Sequence, residues 1–248
     1  MSSLTLLAAL TVVQGIALRL VQPHEAGLIS VEAFWNDRTI PYVYVDDVWL
    51  TVIGVDLDTV AGDYPLDIFL RYENGRVVTR TDVLHVQEKE YPITELTVEP
   101  RYVQLSSENQ ERAAEESREI NSIYSTLTPV AYWERPFQAP IPGTTGGRNF
   151  GHRRVFNGES RAPHSGVDLN AAIGTNILAA NAGQVVLAKN LFFSGNAVFI
   201  DHGLGIYSTY LHLSEILVEP GMMVEQGQLI GLAGATGRVT GPHLHWGV

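Results

Sequence analysis

The sequence predicts a mainly β protein: an N-terminal β-sandwich-like domain over residues 1–100, a helical linker over 101–136, and a C-terminal antiparallel β-sheet or sandwich domain over 137–248. Three observations carry this expectation. First, 23 glycines and 12 prolines punctuate short runs of Val, Ile, Leu and Tyr, a pattern of many short strands and tight turns. Second, 45% hydrophobic and 17% charged residues in 248 mark a chain able to bury a core. Third, charge is uneven: residues 1–132 hold 20 Asp and Glu against 9 Lys and Arg, whereas 133–248 hold 7 of each, so the formal charge of -11 sits in the first part. That shift suggests a boundary. An acidic first half and the lack of a basic stripe exclude nucleic acid as a partner.

The opening segment LTLLAALTVVQGIALRLV is apolar but has no Lys or Arg before Arg19, so it lacks the basic leading region of a secretory signal. It is expected to contain a buried first strand rather than a signal remnant. Gln14 and Arg19 interrupt it too soon for a membrane-spanning helix, and no other stretch is a candidate span. ISVEAFW, YVYVDDVWLTVIGVDL, YPLDIFLRY, RVVTRTDVLHV and ITELTVEP then read as strands, with ENG and AGD as turns. Five or more short strands in this span suggest a sandwich. His24 and His85 are isolated there and read as structural or surface residues.

Ser107, followed three residues later by Gln110, has the form of a capping box, and ENQERAAEESREINSIYSTL runs on without Gly or Pro. This is the convincing helix. Its charged face reads as solvated, and Ala113, Ile120, Ile123, Tyr124 and Leu127 could lie along one domain or bridge two. WERPFQAPIPGTTGG follows as an extended lead into the second domain.

Six of the eight histidines (152, 164, 202, 212, 243 and 245) fall after Phe150, and there is no cysteine. Histidine and carboxylate are therefore the strong metal ligands left to the chain. In GPHLHWGV, His243 and His245 share one face of a strand, so both could ligate a metal, or one could ligate while the other moves protons. In PHSGVDL, His164 and Asp168 would lie about 13 Å apart on a straight strand, so the backbone must bend, and Gly166 permits it. His212, in STYLHLS, lies on an apparent strand where alternation puts Tyr210 and His212 on one face. Metal binding accounts for these residues together. His202 reads as structural, and FGHRR leaves open whether Arg153 and Arg154 meet an acidic substrate or only the domain surface.

HSGVD, YLHLS and GPHLHWGV, in this order, resemble the signature of the lysostaphin-like (LytM-type) zinc endopeptidases that cut bacterial cell-wall peptides. The resemblance covers about residues 137–248, with FGHRRVFNG similar to the lead-in segment of diderm members; residues before it resemble their N-terminal attachments more loosely. It implies zinc held by His164, Asp168 and His245 with a fourth position open to water, and His212 and His243 as a catalytic pair outside the ligand set. His243 is favoured as base and His212 as oxyanion stabiliser, although the motifs do not order the two roles. Tyr210, Asn157 and Thr240 are weaker candidates for lining the groove. The implied function is zinc-dependent hydrolysis of peptidoglycan cross-links or stem peptides outside the cytoplasm, periplasmic or secreted. Separately, the acidic N-terminal domain is expected to cover or orient the groove, since a linker helix could fold it back.

Two rival readings are a non-catalytic peptidoglycan-binding module that activates other wall hydrolases and a biotinyl or lipoyl carrier, which VEPGMMVEQGQLIGLAG resembles. The first is disfavoured because every expected ligand and both catalytic histidines are present. The carrier needs an acceptor lysine in that hairpin, and Lys189, the one lysine after residue 132, lies outside it. Family members usually continue past the HLH strand, whereas this sequence stops at Val248, so the expectation is either a longer chain or a sheet edge completed otherwise.

Overall fold

In the computed structural model, which describes residues 9–96, 105–144 and 147–248, the chain divides into two compact units, Met1–Glu90 and Tyr91–Val248. The alternating runs of the first become eight strands: β1 (Ala9–Val13), β2 (Ala17–Pro23), β3 (Leu28–Trp35), β4 (Arg38–Pro41), β5 (Val43–Val45), β6 (Val48–Gly54), β7 (Gly62–Tyr72) and β8 (Val77–Gln87). They form a five-stranded sheet in the order β1-β8-β7-β3-β4 and a three-stranded sheet β2-β6-β5. Both sheets contribute to one core, with Leu20 and Ile53 from the smaller and Val31, Leu66, Ile68 and Leu84 from the larger. The sandwich-like expectation describes this unit. Of the opening segment, residues 9–13 and 17–23 are strands, and residues 1–8 lie outside the described residues.

Local chemistry accounts for two departures from the expected strands. The run YVYVDDVWLTVIG is a hairpin, because Asp46 and Asp47 both adopt left-handed backbone (φ 49° and 61°), as the tight turn between twisted strands requires. ENG makes the β7–β8 hairpin as expected, with Gly75 at φ 81°. AGD makes no turn; Gly62 opens β7 instead.

The second unit contains β9 (Ile93–Leu96), α1 (Ser107–Ser125), β10 (Arg153–Phe156), β11 (Glu159–Ser160), β12 (Val167–Asn170), β13 (Asn176–Leu178), β14 (Gly183–Leu191), β15 (Gly195–Gly203), β16 (Ile206–Leu213), β17 (Glu215–Ile216), β18 (Met223–Val224), β19 (Leu229–Leu232) and β20 (His243–Gly247). A six-stranded antiparallel sheet, β12-β20-β16-β15-β14-β18, faces a three-stranded sheet, β13-β19-β17, across a core that includes Leu169, Ile177, Val198, Ile200, Tyr210, Leu213, Ile230 and Leu244. The segment ITELTVEP, expected in the first domain, instead supplies β9, which pairs in parallel with β10, and its residues 97–100 lie outside the described residues.

The helix belongs to this second unit as well. Its N-cap is Ser106, one residue before the expected Ser107, and the Ser106 hydroxyl accepts from the Asn109 N–H at 3.3 Å. Ile120 and Ile123 pack on Leu187, Leu191, Ala197 and Phe199, which share the sheet face opposite the main core. Part of the charged face is not simply solvated. Glu116 accepts from the Phe192 N–H at 2.8 Å and pairs with Arg112, which reaches Asn190, while Glu119 pairs with Lys189. These contacts, with the β9–β10 pairing, are why the division falls at residue 90 rather than at 100 and 136. Among the described residues no helix is long and apolar enough to cross a membrane.

A buried polar chain crosses the core beside β16. His202 Nδ1 lies 2.7 Å from the Ala182 carbonyl, which can only accept, so Nδ1 carries the hydrogen and Nε2 accepts from Ser208 Oγ at 2.7 Å. With its one hydrogen used, Ser208 Oγ accepts from Tyr210 Oη at 3.0 Å, and Tyr210 Oη accepts from the Ala180 N–H at 2.7 Å. Every member is satisfied with His202 neutral, and burial lowers the His202 pKa in the same sense. This supports the structural reading of His202.

Ser208→Ala leaves the His202 Nε2 lone pair without a donor and the Tyr210 hydroxyl hydrogen without an acceptor, and should lower unfolding stability by about 1–3 kcal/mol in urea titrations. Because the folded pKa of His202 lies below its ordinary 6.5, the unfolded chain binds the proton first on acidification. Stability from this residue is therefore complete above pH 6.5 and lost as pH falls below it. His202→Gln should show a smaller fall in the urea midpoint between about pH 7.5 and 5.5 than the unmodified protein.

Candidate metal centre

Register puts two of the polar side chains together. β12 pairs antiparallel with β20 so that Asp168 lies opposite His245 and Asn170 opposite His243, on the sheet face away from Leu169 and Leu244. His164 arrives from the loop before β12, held by reciprocal backbone bonds in which its N–H meets the His152 carbonyl at 3.0 Å and its carbonyl the Gly151 N–H at 2.8 Å. The bend that spacing demanded brings His164 Nε2 to 3.0 Å from Asp168 Oδ1. Gly166 is required by closeness rather than by a left-handed φ. A Cβ there would lie 2.5 Å from the Trp246 carbonyl oxygen and 2.6 Å from His245 Nε2.

Three ligating atoms converge. His164 Nε2 and His245 Nδ1 are 2.9 Å apart, Asp168 Oδ1 is 3.0 and 3.1 Å from them, and one ligating atom from each residue lies within 4.8 Å of the others. His164 Nδ1 is 2.9 Å from the Asn149 carbonyl and so donates to it, which leaves Nε2 as a bare lone pair in the neutral ring. Burial alone would raise the Asp168 pKa, but the closeness of the His164 and His245 rings outweighs it and holds the carboxyl below the usual range. Two lone-pair acceptors and a third ring nitrogen thus face one point with at most one hydrogen among them. A divalent cation satisfies this donor set, and nitrogen–nitrogen–carboxylate is a set zinc takes.

Two more imidazoles flank the cluster. His243 Nδ1 donates to the Gly241 carbonyl at 2.9 Å and its Nε2 lies 3.6 Å from Asp168 Oδ1. His212 Nδ1 donates to the Thr236 carbonyl at 3.0 Å, and its ring centroid is 4.9 Å from that of His243 and 6.2 Å from that of His245. Both therefore present an Nε2 lone pair. Burial pushes His212 down to about 4, so it is neutral at pH 7.

The route by which His212 gets there differs from simple alternation. The β15–β16 register shifts between Asn196 and Val198, a β-bulge, and His212 takes a left-handed φ of 66°. Tyr210 and Leu213 consequently both point into the core, while His212 turns toward His243. Tyr210 is fully buried, so the expectation that it lines the groove is corrected.

The groove beside the cluster has a volume of about 650 Å³ and is lined by Gly147, Arg148, Asn149, His152, Asp168, Asn170, Thr240, Gly241, Pro242 and His243. Thr240 is brought there as expected. Asn157 is not among these residues; it occupies the β10–β11 turn with Gly158 (φ 51° and 84°), the Asn-Gly pairing that such a two-residue turn favours.

Sequence reasoning missed Asn149. Its Nδ2 donates to Asp168 Oδ2 at 2.8 Å, its Oδ1 accepts from the Asp168 N–H at 3.0 Å, and its carbonyl takes the His164 Nδ1–H. One residue thus orients two of the three ligating side chains. Only the neighbouring FGHRR motif hinted at it.

Residues 162–248 match Peptidase family M23. Peptidoglycan DD-endopeptidase ShyA of Vibrio cholerae serotype O1 is 50% identical over 99 residues, 40% of this chain and 23% of that protein. ShyC of the same organism is 47% identical over 100 residues, again 40% and 23%. The matched segment thus spans about a quarter of the length of these relatives. A crystal structure of a candidate M23 peptidase from Pseudomonas aeruginosa covers 94% of this chain and 87% of its own, with a TM-score of 0.69 and 27% identity. The segment from residue 162 to residue 248, which matches Peptidase family M23, carries His164, Asp168, His212, His243 and His245.

Proposed function

We propose that this protein is a zinc-dependent endopeptidase that hydrolyses peptide cross-links or stem peptides of bacterial peptidoglycan outside the cytoplasm. The observation that carries this reading is the convergence of His164 Nε2, Asp168 Oδ1 and His245 Nδ1 beside two further imidazoles on an open groove. The resemblance to peptidoglycan DD-endopeptidases supports the substrate class and the compartment.

His164, Asp168 and His245 hold the metal, and zinc bound there supplies a Lewis acid that polarises a scissile carbonyl and acidifies water. His243 serves as general base: its Nδ1–H is committed to the Gly241 carbonyl, so the proton is taken at Nε2. Once protonated, Nε2 donates to the leaving amine. His212 arrives with the same tautomer, so its Nε2 accepts rather than donates, and it would hydrogen-bond a substrate oxyanion only as the imidazolium formed by taking a proton from the attacking water in place of His243. Asn149 keeps the Asp168 carboxylate and the His164 ring in ligating orientation. The N-terminal unit regulates access of substrate to the groove.

The deciding experiment incubates zinc-loaded protein with defined muropeptides and identifies products by mass; intact substrate after prolonged incubation would refute the hydrolase reading. His164→Ala and His245→Ala should lose bound zinc and hydrolysis together. His243→Ala should keep stoichiometric zinc while kcat falls by about 10²- to 10⁴-fold. Asn149→Ala should weaken zinc affinity by about 10- to 100-fold in competition with a chelator, with the fold intact by circular dichroism. Removal of residues 1–90 should change kcat/KM on muropeptides, and an unchanged value would count against regulation by the first unit.

A further inference from the structure

The groove beside the centre borders a sheet edge. Among the described residues β12 is an edge strand of the six-stranded sheet, with β20 on one side and no strand on the other. Its residues therefore direct their main-chain groups alternately to the paired and to the outer edge. The Asp168 N–H donates to Asn149 Oδ1 at 3.0 Å, so Asp168 turns its main chain away from β20. The strand period of two gives Asn170 the same outward direction. Its register partner agrees, because the His243 N–H bonds the Gly234 carbonyl at 3.2 Å rather than Asn170.

The two outward-facing residues have different surroundings. At Asp168 the edge is covered by the Asn149 side chain and by Gly147, where an added Cβ would lie 2.6 Å from the Asp168 carbonyl oxygen. At Asn170 the edge is open. Asn170 is exposed, lines the groove, and among the described residues its main chain has no partner on that side. An unpaired N–H and C=O on an extended strand form a template for a second extended chain. Asn170 lies opposite His243 and two residues, about 6.6 Å, from Asp168, so a chain docked there is already at the centre.

We propose that the Asn170 main chain binds the substrate peptide as an added strand: its N–H donates to a peptide carbonyl, its carbonyl accepts from a peptide N–H, and this pairing sets which amide reaches the metal ligands. The covered edge at Asp168 ends the pairing there and turns the peptide onto the sheet face that carries Asp168 and His243. This rests on the groove being the peptide site of the proposed hydrolase. The occupant is an extended peptide rather than a glycan strand, because a saccharide offers hydroxyls without the alternating donor and acceptor of a main chain. Every residue except proline carries both groups, so the edge selects by distance along the main chain from the scissile bond and not by side chain.

The test uses the full zinc-loaded chain and a parent cross-linked stem peptide whose cross-link amide is N-methylated and so is not cut. From the parent a series is made in which one other main-chain amide at a time becomes an ester, which removes a single N–H. By titration calorimetry an ester at one position should raise Kd about five- to ten-fold, and esters elsewhere should change it by less than about two-fold. Asn170→Pro removes the outward N–H on an edge where proline breaks no ladder bond, and should raise the parent's Kd about five- to ten-fold with stoichiometric zinc retained. Asn170→Ala, which keeps the main chain, should leave that Kd within about two-fold. A parent that does not bind, an ester series with equal effects at every position, or an Asn170→Ala protein weakened as much as Asn170→Pro would each overturn the added strand; the ester series decides even where the proline variant does not fold. Peptides with the cleavable cross-link separate this from the hydrolase reading. Position-specific binding without hydrolysis sinks the hydrolase and leaves the added strand, whereas hydrolysis with a flat ester series sinks the added strand alone.

Discussion

The structure around the centre depends on holding three electron-rich atoms closer together than they would choose to be. Two imidazole nitrogens at 2.9 Å and a carboxylate oxygen near 3 Å from each repel unless a proton or cation lies between them. The chain resists that repulsion covalently and by register. The β12–β20 ladder sets Asp168 opposite His245, and Asn149 grips the side chain and backbone of Asp168 while taking the His164 Nδ1–H. Gly166 lets the His164 loop pass against β20 where any side chain would collide. Such outer bonds fix both the tautomer and the ring orientation of a ligating histidine, so the donor set is preorganised for a cation.

The six-stranded sheet uses its two faces for different purposes. One is closed against the three-stranded sheet by Leu169, Val198, Ile200, Tyr210, Leu213 and Leu244. The other is shared: α1 covers its β14–β15 part through Ile120 and Ile123, while the β12–β20–β16 part carries the centre. Hydrogen bonds of Arg112 and Glu116 and the Glu119–Lys189 ion pair secure the helix to that sheet, which accounts for a helix so polar remaining docked. Polar side chains around the centre would be costly on the closed face, where nothing could hydrate a substrate.

Much of this was legible before any coordinates, for identifiable reasons. His243 and His245 were readable as neighbours because strand period puts them on one face, whereas His164 and Asp168 entered as ligands through the motif resemblance, their spacing saying only that the backbone between them must bend. Thr240 was readable from its nearness to His243. Asn149 was not, since a lone asparagine carries no periodic or spacing signal and its role arises from a contact 19 residues away. Tyr210 and Asn157 were misread for opposite reasons. Alternation fails at a bulge, and the bulge is set by pairing with β15 rather than by anything local to STYLHLS. Asn157 did carry a local signal, the Asn-Gly turn pair, which outweighs any reading of its amide as a substrate contact. The boundary shifted because charge composition reports solvent exposure, whereas β9 and α1 are assigned by their partners.

Tyr210, although absent from the groove, still bears on the chemistry through β16. His212 sits at the bulge with left-handed backbone, a conformation that costs free energy for a non-glycine residue and persists only where its surroundings over-determine it. Those surroundings are on either side of it. Tyr210 is locked on one side by packing and by the hydrogen-bonded chain through Ser208 to His202, and Leu213 is buried on the other. Between two such anchors the intervening residue has little freedom, and the bonds from the His212 N–H to the Ser194 carbonyl and from its Nδ1 to the Thr236 carbonyl remove most of the remainder. The core therefore aims His212: the same pairing that turns Tyr210 inward is what turns the imidazole outward, toward His243 and the metal ligands.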